Sequence, residues 1–131
     1  MGRVLLYNFR EERRRKAVKA LLFRLGVPSR EIPPEAQGLS LSELLEAENP
    51  GEGTEIPAEA FREEMLVMQG LEPRAFHGLL DGLKAAGIRV PLKAVVTEHN
   101  LEWSSIRLHA ELRAEQEALC GGAAVPDHRK A

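Results

Sequence analysis

Four short apolar runs punctuate the chain, and between them hydrophobic residues recur every three or four positions. Val4-Leu5-Leu6-Tyr7 is the first run and reads as a buried strand. Asn8-Phe9-Arg10-Glu11 then carries a helix-start pattern, because the Asn side chain can cap free amides and Glu11 can reach back. Val18, Leu21, Leu22 and Leu25 predict an amphipathic helix over Arg10–Leu25, closed by Gly26 in a left-handed position. The stretch 28–38 is weaker. Pro33-Pro34 is barred from a central strand, so only a short strand is expected near Arg30–Ile32.

Ser40-Leu41-Ser42-Glu43 is a capping box that opens a short helix through Leu44 and Leu45. Residues 46–57 hold two Pro, two Gly and four Glu and read as a mobile loop. Met65-Leu66-Val67-Met68 is the third strand, ending at Gln69-Gly70. Pro73 suits the first turn of a helix whose apolar face is Phe76, Leu79, Leu80 and Leu83, with Gly87 at its end. Leu92–Val96 is the fourth strand. The last helix starts near Trp103 or Ser104 and places Ile106, Leu108, Leu112 and Leu119 inside.

The order βαβαβαβα, with continuous apolar strands and amphipathic helices, predicts a small three-layer α/β domain. Right-handed crossovers favour a four-stranded, mostly parallel sheet of order 2-1-3-4. One domain is expected over residues 1–120, with residues 121–131 as a flexible tail. In such a sheet ligands sit beyond the carboxyl ends of the strands, at the point where strand order reverses. The expected site therefore draws Asn8 from strand 1, Gln69 and Gly70 from strand 3, and Thr97, His99, Asn100 and Trp103 from the end of strand 4. Amides, a hydroxyl and an imidazole suit a small polar or anionic ligand, and the indole offers a stacking face. Each of these residues also has a plain structural role, Asn8 and Asn100 as helix caps above all.

Composition narrows the classes. A hydrophobic fraction of 44% fills a core and a charged fraction of 29% solvates a surface, which argues against general disorder. No apolar run approaches the roughly 20 residues of a bilayer span, and Val4–Tyr7 is too short for a signal-peptide core, so no membrane association and a cytoplasmic location are expected. The single Cys120 excludes an internal disulfide. Within the net charge of −2, residues 1–30 hold nine Lys/Arg against two acids. Arg13, Arg14, Arg15, Lys16 and Lys19 form a band that could touch phosphates. No aromatic residue interleaves with it, so nucleic acid is disfavoured against a solvated helix face.

Several chemistries lack their residues. The end of strand 3 has no carboxylate phosphoacceptor, and no glycine-rich nucleotide loop follows any strand. His77, His99, His109 and His128 have no paired ligand spacing, so neither a metal nor a cofactor is expected. Cys120 has no base beside it, and no carboxylate pair stands out, so no catalytic residue is assigned.

The segment Arg3-Val4-Leu5-Leu6-Tyr7-Asn8-Phe9, followed by Ile88-Arg89-Val90-Pro91-Leu92-Lys93-Ala94-Val95-Val96-Thr97-Glu98-His99-Asn100 with Trp103, resembles the small bacterial domain of unknown function DUF3783. The resemblance covers most of residues 1–119 and is sharpest in the Pro91–Trp103 run. It implies a bacterial cytosolic protein and supplies no activity, cofactor or catalytic residue. The leading expectation is a non-catalytic module that binds a protein partner or self-associates. The alternative is a small-ligand binder or enzyme in the strand-end crevice, with His99 as its general base.

Overall fold

The computed structural model describes residues 2–120, with side chains described as far as Ala118. The expected tail at 121–131 lies outside the described residues. The elements are β1 (Arg3–Tyr7), α1 (Glu12–Arg24), β2 (Ser29–Ile32), a 3-10 turn (Pro34–Ala36), α2 (Leu41–Glu46), β3 (Met65–Gln69), α3 (Pro73–Ala85), β4 (Leu92–Val95) and α4 (Ser105–Cys120). The weakly signalled second strand is present. The capping box is formed, with the Glu43 amide donating to Ser40 Oγ and the Ser40 amide donating to Glu43 Oε1.

The sheet order is β2-β1-β3-β4. The β1–β2 and β3–β4 pairings are parallel, and the central β1–β3 pairing is antiparallel. The cause of the reversal lies in the segment before β3. Asn8 Nδ2 donates to the carbonyls of Phe61 (3.0 Å) and Glu63 (2.9 Å). The buried Gln37 accepts from the Phe61 amide at 2.8 Å and donates to its carbonyl at 3.2 Å. These bonds hold the entry to β3 beside the carboxyl end of β1, so β3 can only run back along it. Asn8 thus has a different role from the expected helix cap. It sits at φ 63, and α1 begins at the N-cap residue Glu11 with no side-chain cap.

Helices cover both faces. α1 and α3 pack over Val4, Leu6, Leu66 and Met68. α2, α4 and Phe61 pack over Leu5, Tyr7, Met65 and Val67. Burying a side chain of this size stabilises the fold by roughly 1.5–3 kcal/mol, so the two cores carry the domain. On the second face the fully buried Tyr7 hydroxyl and Ser105 Oγ lie 2.7 Å apart.

The fold also repeats itself. β1-α1-β2-α2 and β3-α3-β4-α4 are the same unit, related by a pseudo-twofold axis normal to the sheet. Both first helices end in the same motif, with Gly26 at φ 73 and Gly87 at φ 72. The amides of Val27 and Ile88 each close it by donating to the carbonyls of Leu22 and Leu83 at 2.9 Å. Asn8 and Gly70 are the paired left-handed residues at the ends of β1 and β3. The axis crosses all three layers where equivalent residues meet. Leu21 lies over Gly82 between α1 and α3, Leu5 pairs with Val67 in the sheet, and Ser40 bridges Ser104 beneath it.

Candidate functional site

The antiparallel junction divides the expected site. Tyr7 pairs with Met65 and Arg3 with Gln69, so Asn8 stands at one end of the sheet and Gln69-Gly70 at the other. Parallel pairing of β3 with β4 leaves Thr97, His99, Asn100 and Trp103 at the end shared with Gln69 and Gly70. The four strands therefore have their carboxyl ends at two opposite ends of the sheet, one per repeat.

In the second repeat most of the polar chemistry is consumed locally. The Thr97 amide donates to Asn100 Oδ1 at 2.8 Å, the Asn100 amide to Thr97 Oγ1 at 3.2 Å, and Asn100 Nδ2 to the Val95 carbonyl at 3.1 Å. Asn100 is buried and fastens the turn after β4. The exposed His99 ring meets Trp103 edge-on at 5.3 Å, and the Arg107 guanidinium covers the Trp103 ring at 4.1 Å. That arrangement occupies the indole face with an intramolecular cation–π contact.

In the first repeat an open crevice of about 590 Å³ lies beyond β1 and β2, lined by Asn8, Phe9, Arg10, Arg15, Glu31, Pro33 and Pro34. It adjoins a second hollow between Arg10, Pro34, Ile56 and Arg62. The basic helix that borders it is partly committed to its own chain. Arg14 donates to both carboxylate oxygens of Glu64 and to the Arg89 carbonyl, while Lys16 pairs with Glu12 and Lys19 with Glu31. The Glu64 hydrogen bond, chiefly, raises the Arg14 pKa above its ordinary value.

His109 is half-buried and joins α4 to the β3 entry. Its Nε2 lies 2.7 Å from Glu63 Oε1, and its ring stacks on Phe61 at 4.2 Å. Arg113 approaches the same carboxylate at 3.6 Å. Among the described residues no group of three His, Cys, Asp or Glu side chains could hold a metal, and no helix is long and apolar enough to cross a membrane.

A third region was not drawn from the sequence. No strand pairs with the outer edge of β4 among the described residues, and Val95 there is 45% exposed. Beside it runs a groove of about 560 Å³ between α3 and β4, walled by Leu80, Leu83, Ile88 and Val90. Lys84, Arg89 and Lys93 complete its lining, and none of them meets a carboxylate among the described residues. The alternation of Lys93 and Val95 on one side of an otherwise buried strand was the available signal.

The symmetry-related edge is closed. Arg30 on β2 donates to the carbonyls of Leu44 and Ala47 at the end of α2, and Glu31 is paired with Lys19 at 2.7 Å. One repeat thus ends in charged side chains tied to its own helices, which is how edges are protected, while the other ends in Ala94 and Val95.

Residues 64–119 match the family model described as Domain of unknown function (DUF3783). The match spans the second repeat almost entirely, including the Pro91–Trp103 run, and leaves the Arg3–Phe9 segment outside it. No curated protein and no solved structure matches the chain.

Proposed function

We propose, on the premise that residues 64–119 are a DUF3783 domain, that the chain is a non-catalytic module that docks a polypeptide partner on its second repeat. The observation that carries this reading is the difference between the two outer edges. β2 is covered by Arg30 and the Lys19–Glu31 pair, whereas β4 stands open beside an apolar groove. An unpaired edge next to a hydrophobic channel is the geometry that β-strand addition uses. The first repeat acts in this reading as the scaffold that completes the sheet and both cores. Location in a bacterial cytoplasm belongs to the same proposal.

The test is site-specific photo-crosslinking in the native host. A photoreactive residue at Val95 is expected to give an adduct of defined mass, and the same residue at the exposed Phe23 on α1 is not. Equal labelling from both positions, or none from position 95, overturns the docking reading.

A second reading is favoured by the crevice beyond β1 and β2, where Arg10 and Arg15 face a hollow large enough for a small anion. Nucleotides, sugar phosphates and dicarboxylates are the ligands to screen. A ligand held there at 100 times its dissociation constant stabilises the protein by about 2.7 kcal/mol, a shift that thermal denaturation detects. Absence of any shift, or a shift that persists in Arg10→Ala/Arg15→Ala, removes this reading.

A further inference from the structure

We infer that the β4 edge accepts an extended peptide segment in which carboxylates alternate with aliphatic residues, added to the sheet as a fifth strand; this rests on the docking reading above. The backbone defines the hydrogen bonds on offer. The Val96 amide donates inward to Met68 at 2.8 Å, so by strand alternation Ala94 also faces β3, while Lys93 and Val95 face out. The Val95 carbonyl is taken by Asn100. The Lys93 amide and carbonyl and the Val95 amide remain for an incoming strand.

The charge on the groove selects the occupant. Its walls are aliphatic and its ionic groups, Lys84, Arg89 and Lys93, are all cations without a carboxylate partner. A strand laid along β4 points alternate side chains to the α3 side. Carboxylates there reach the three cations, while the aliphatic residues between them lie on the opposite face, beside Pro91 and Leu112. A second copy of this chain fits less well. Two β4 strands paired antiparallel about Ala94 would bring Lys93 diagonally toward its own image and merge two cationic rims, and facing like charges destabilise a sheet pair.

The probes are two blocked peptides of equal length, one alternating Val with Glu and the other Val with Lys, titrated into the full chain by fluorescence anisotropy and amide NMR. The acidic peptide is expected to bind about tenfold tighter or better, a margin of about 1.4 kcal/mol. The Lys93 and Val95 amides should gain exchange protection, and added salt should weaken binding. Lys84→Glu/Arg89→Glu/Lys93→Glu should invert the preference. Val95→Pro removes an outward amide without touching β3 and should weaken the acidic peptide in the same way.

Equal affinity for the two peptides, shifts that map away from β4, or sedimentation showing a β4-dependent dimer overturns the inference. If the peptides fail while the position-95 crosslink succeeds, the acidic-strand inference falls and the docking reading stands. If the crosslink fails too, both fall.

Discussion

Leu21 sits on Gly82 where α1 crosses α3, and a Cβ on Gly82 would stand 2.6 Å from Leu21 Cδ1 and 3.2 Å from its Cγ. Each residue occupies the other's place in its own repeat, and one of them must be small for the helices to approach. Gly82→Ala gains about 1 kcal/mol of helix propensity. It also overpacks a closed contact, at a cost of about 1–3 kcal/mol. The expected result is a net loss of stability in urea denaturation. In a Leu21→Ala background the clash is gone and the sign reverses, so Gly82→Ala then stabilises by up to about 1 kcal/mol. Gly78→Ala on the same helix meets chiefly the tip of Leu25 and is expected to be neutral or mildly stabilising.

Tyr7 gives an alkaline signature. Burial pushes its phenol well above the ordinary range, and the hydrogen bond with Ser105 lowers it only in part. The folded state therefore holds the proton more tightly than the unfolded state, whose tyrosine titrates near 10. Its stabilising contribution is complete below about pH 10 and is lost as pH climbs further. Tyr7 is the only tyrosine in the chain, so phenolate absorbance reads this site alone. Ionisation is expected to coincide with unfolding. Tyr7→Phe should abolish the absorbance change and flatten the fall in stability above pH 10. At neutral pH it should cost about 1–3 kcal/mol, because Ser105 loses its buried partner.

Asn8 serves both the backbone and the β3 entry. Asn8→Gly keeps the left-handed φ and loses the two bonds to Phe61 and Glu63. Asn8→Ala loses both bonds and adds strain of roughly 1–2 kcal/mol. Both variants should be less stable than the parent, with Ala the worse by about that margin in chemical denaturation.

The turn after β4 separates structural from surface residues. Asn100→Ala removes two side-chain hydrogen bonds from a buried position, leaves the amide bond to Thr97 Oγ1, and should cost about 1–3 kcal/mol. His99→Ala, on an exposed side chain, is expected within about 0.5 kcal/mol of the parent by the same melts. A large loss at position 99 would mean that its contact with Trp103 carries the turn.

The order of elements and the strand order were legible because periodicity, capping pattern and glycine placement act locally. Gly26, Gly87, Pro73 and the Ser40–Glu43 box each report their own turn of chain. The direction of β3 relative to β1 was not legible. It is fixed by Asn8 and Gln37 gripping Phe61 and Glu63 across more than twenty residues, and no local pattern encodes such a pairing. The same gap divided the expected site, since Asn8 and Gly70 come together only if the strands run alike. The twofold repeat was not drawn from the sequence, although Gly26 and Gly87 end equivalent helices. Its most telling residues, Leu21 and Gly82, differ too much in size to be recognised as equivalents before the packing is seen.

The pairing of Leu5 with Val67 joins equivalent positions, so the inner edge of each repeat recognises its counterpart. Two chains that trade first repeats would rebuild the sheet, both helix layers and the Ser40–Ser104 bridge with every native contact intact. The connection upstream of the Phe61–Glu64 grip decides between closure on the same chain and exchange with a neighbour. A chain shortened there is expected to exchange first repeats and to sediment as an interlocked pair.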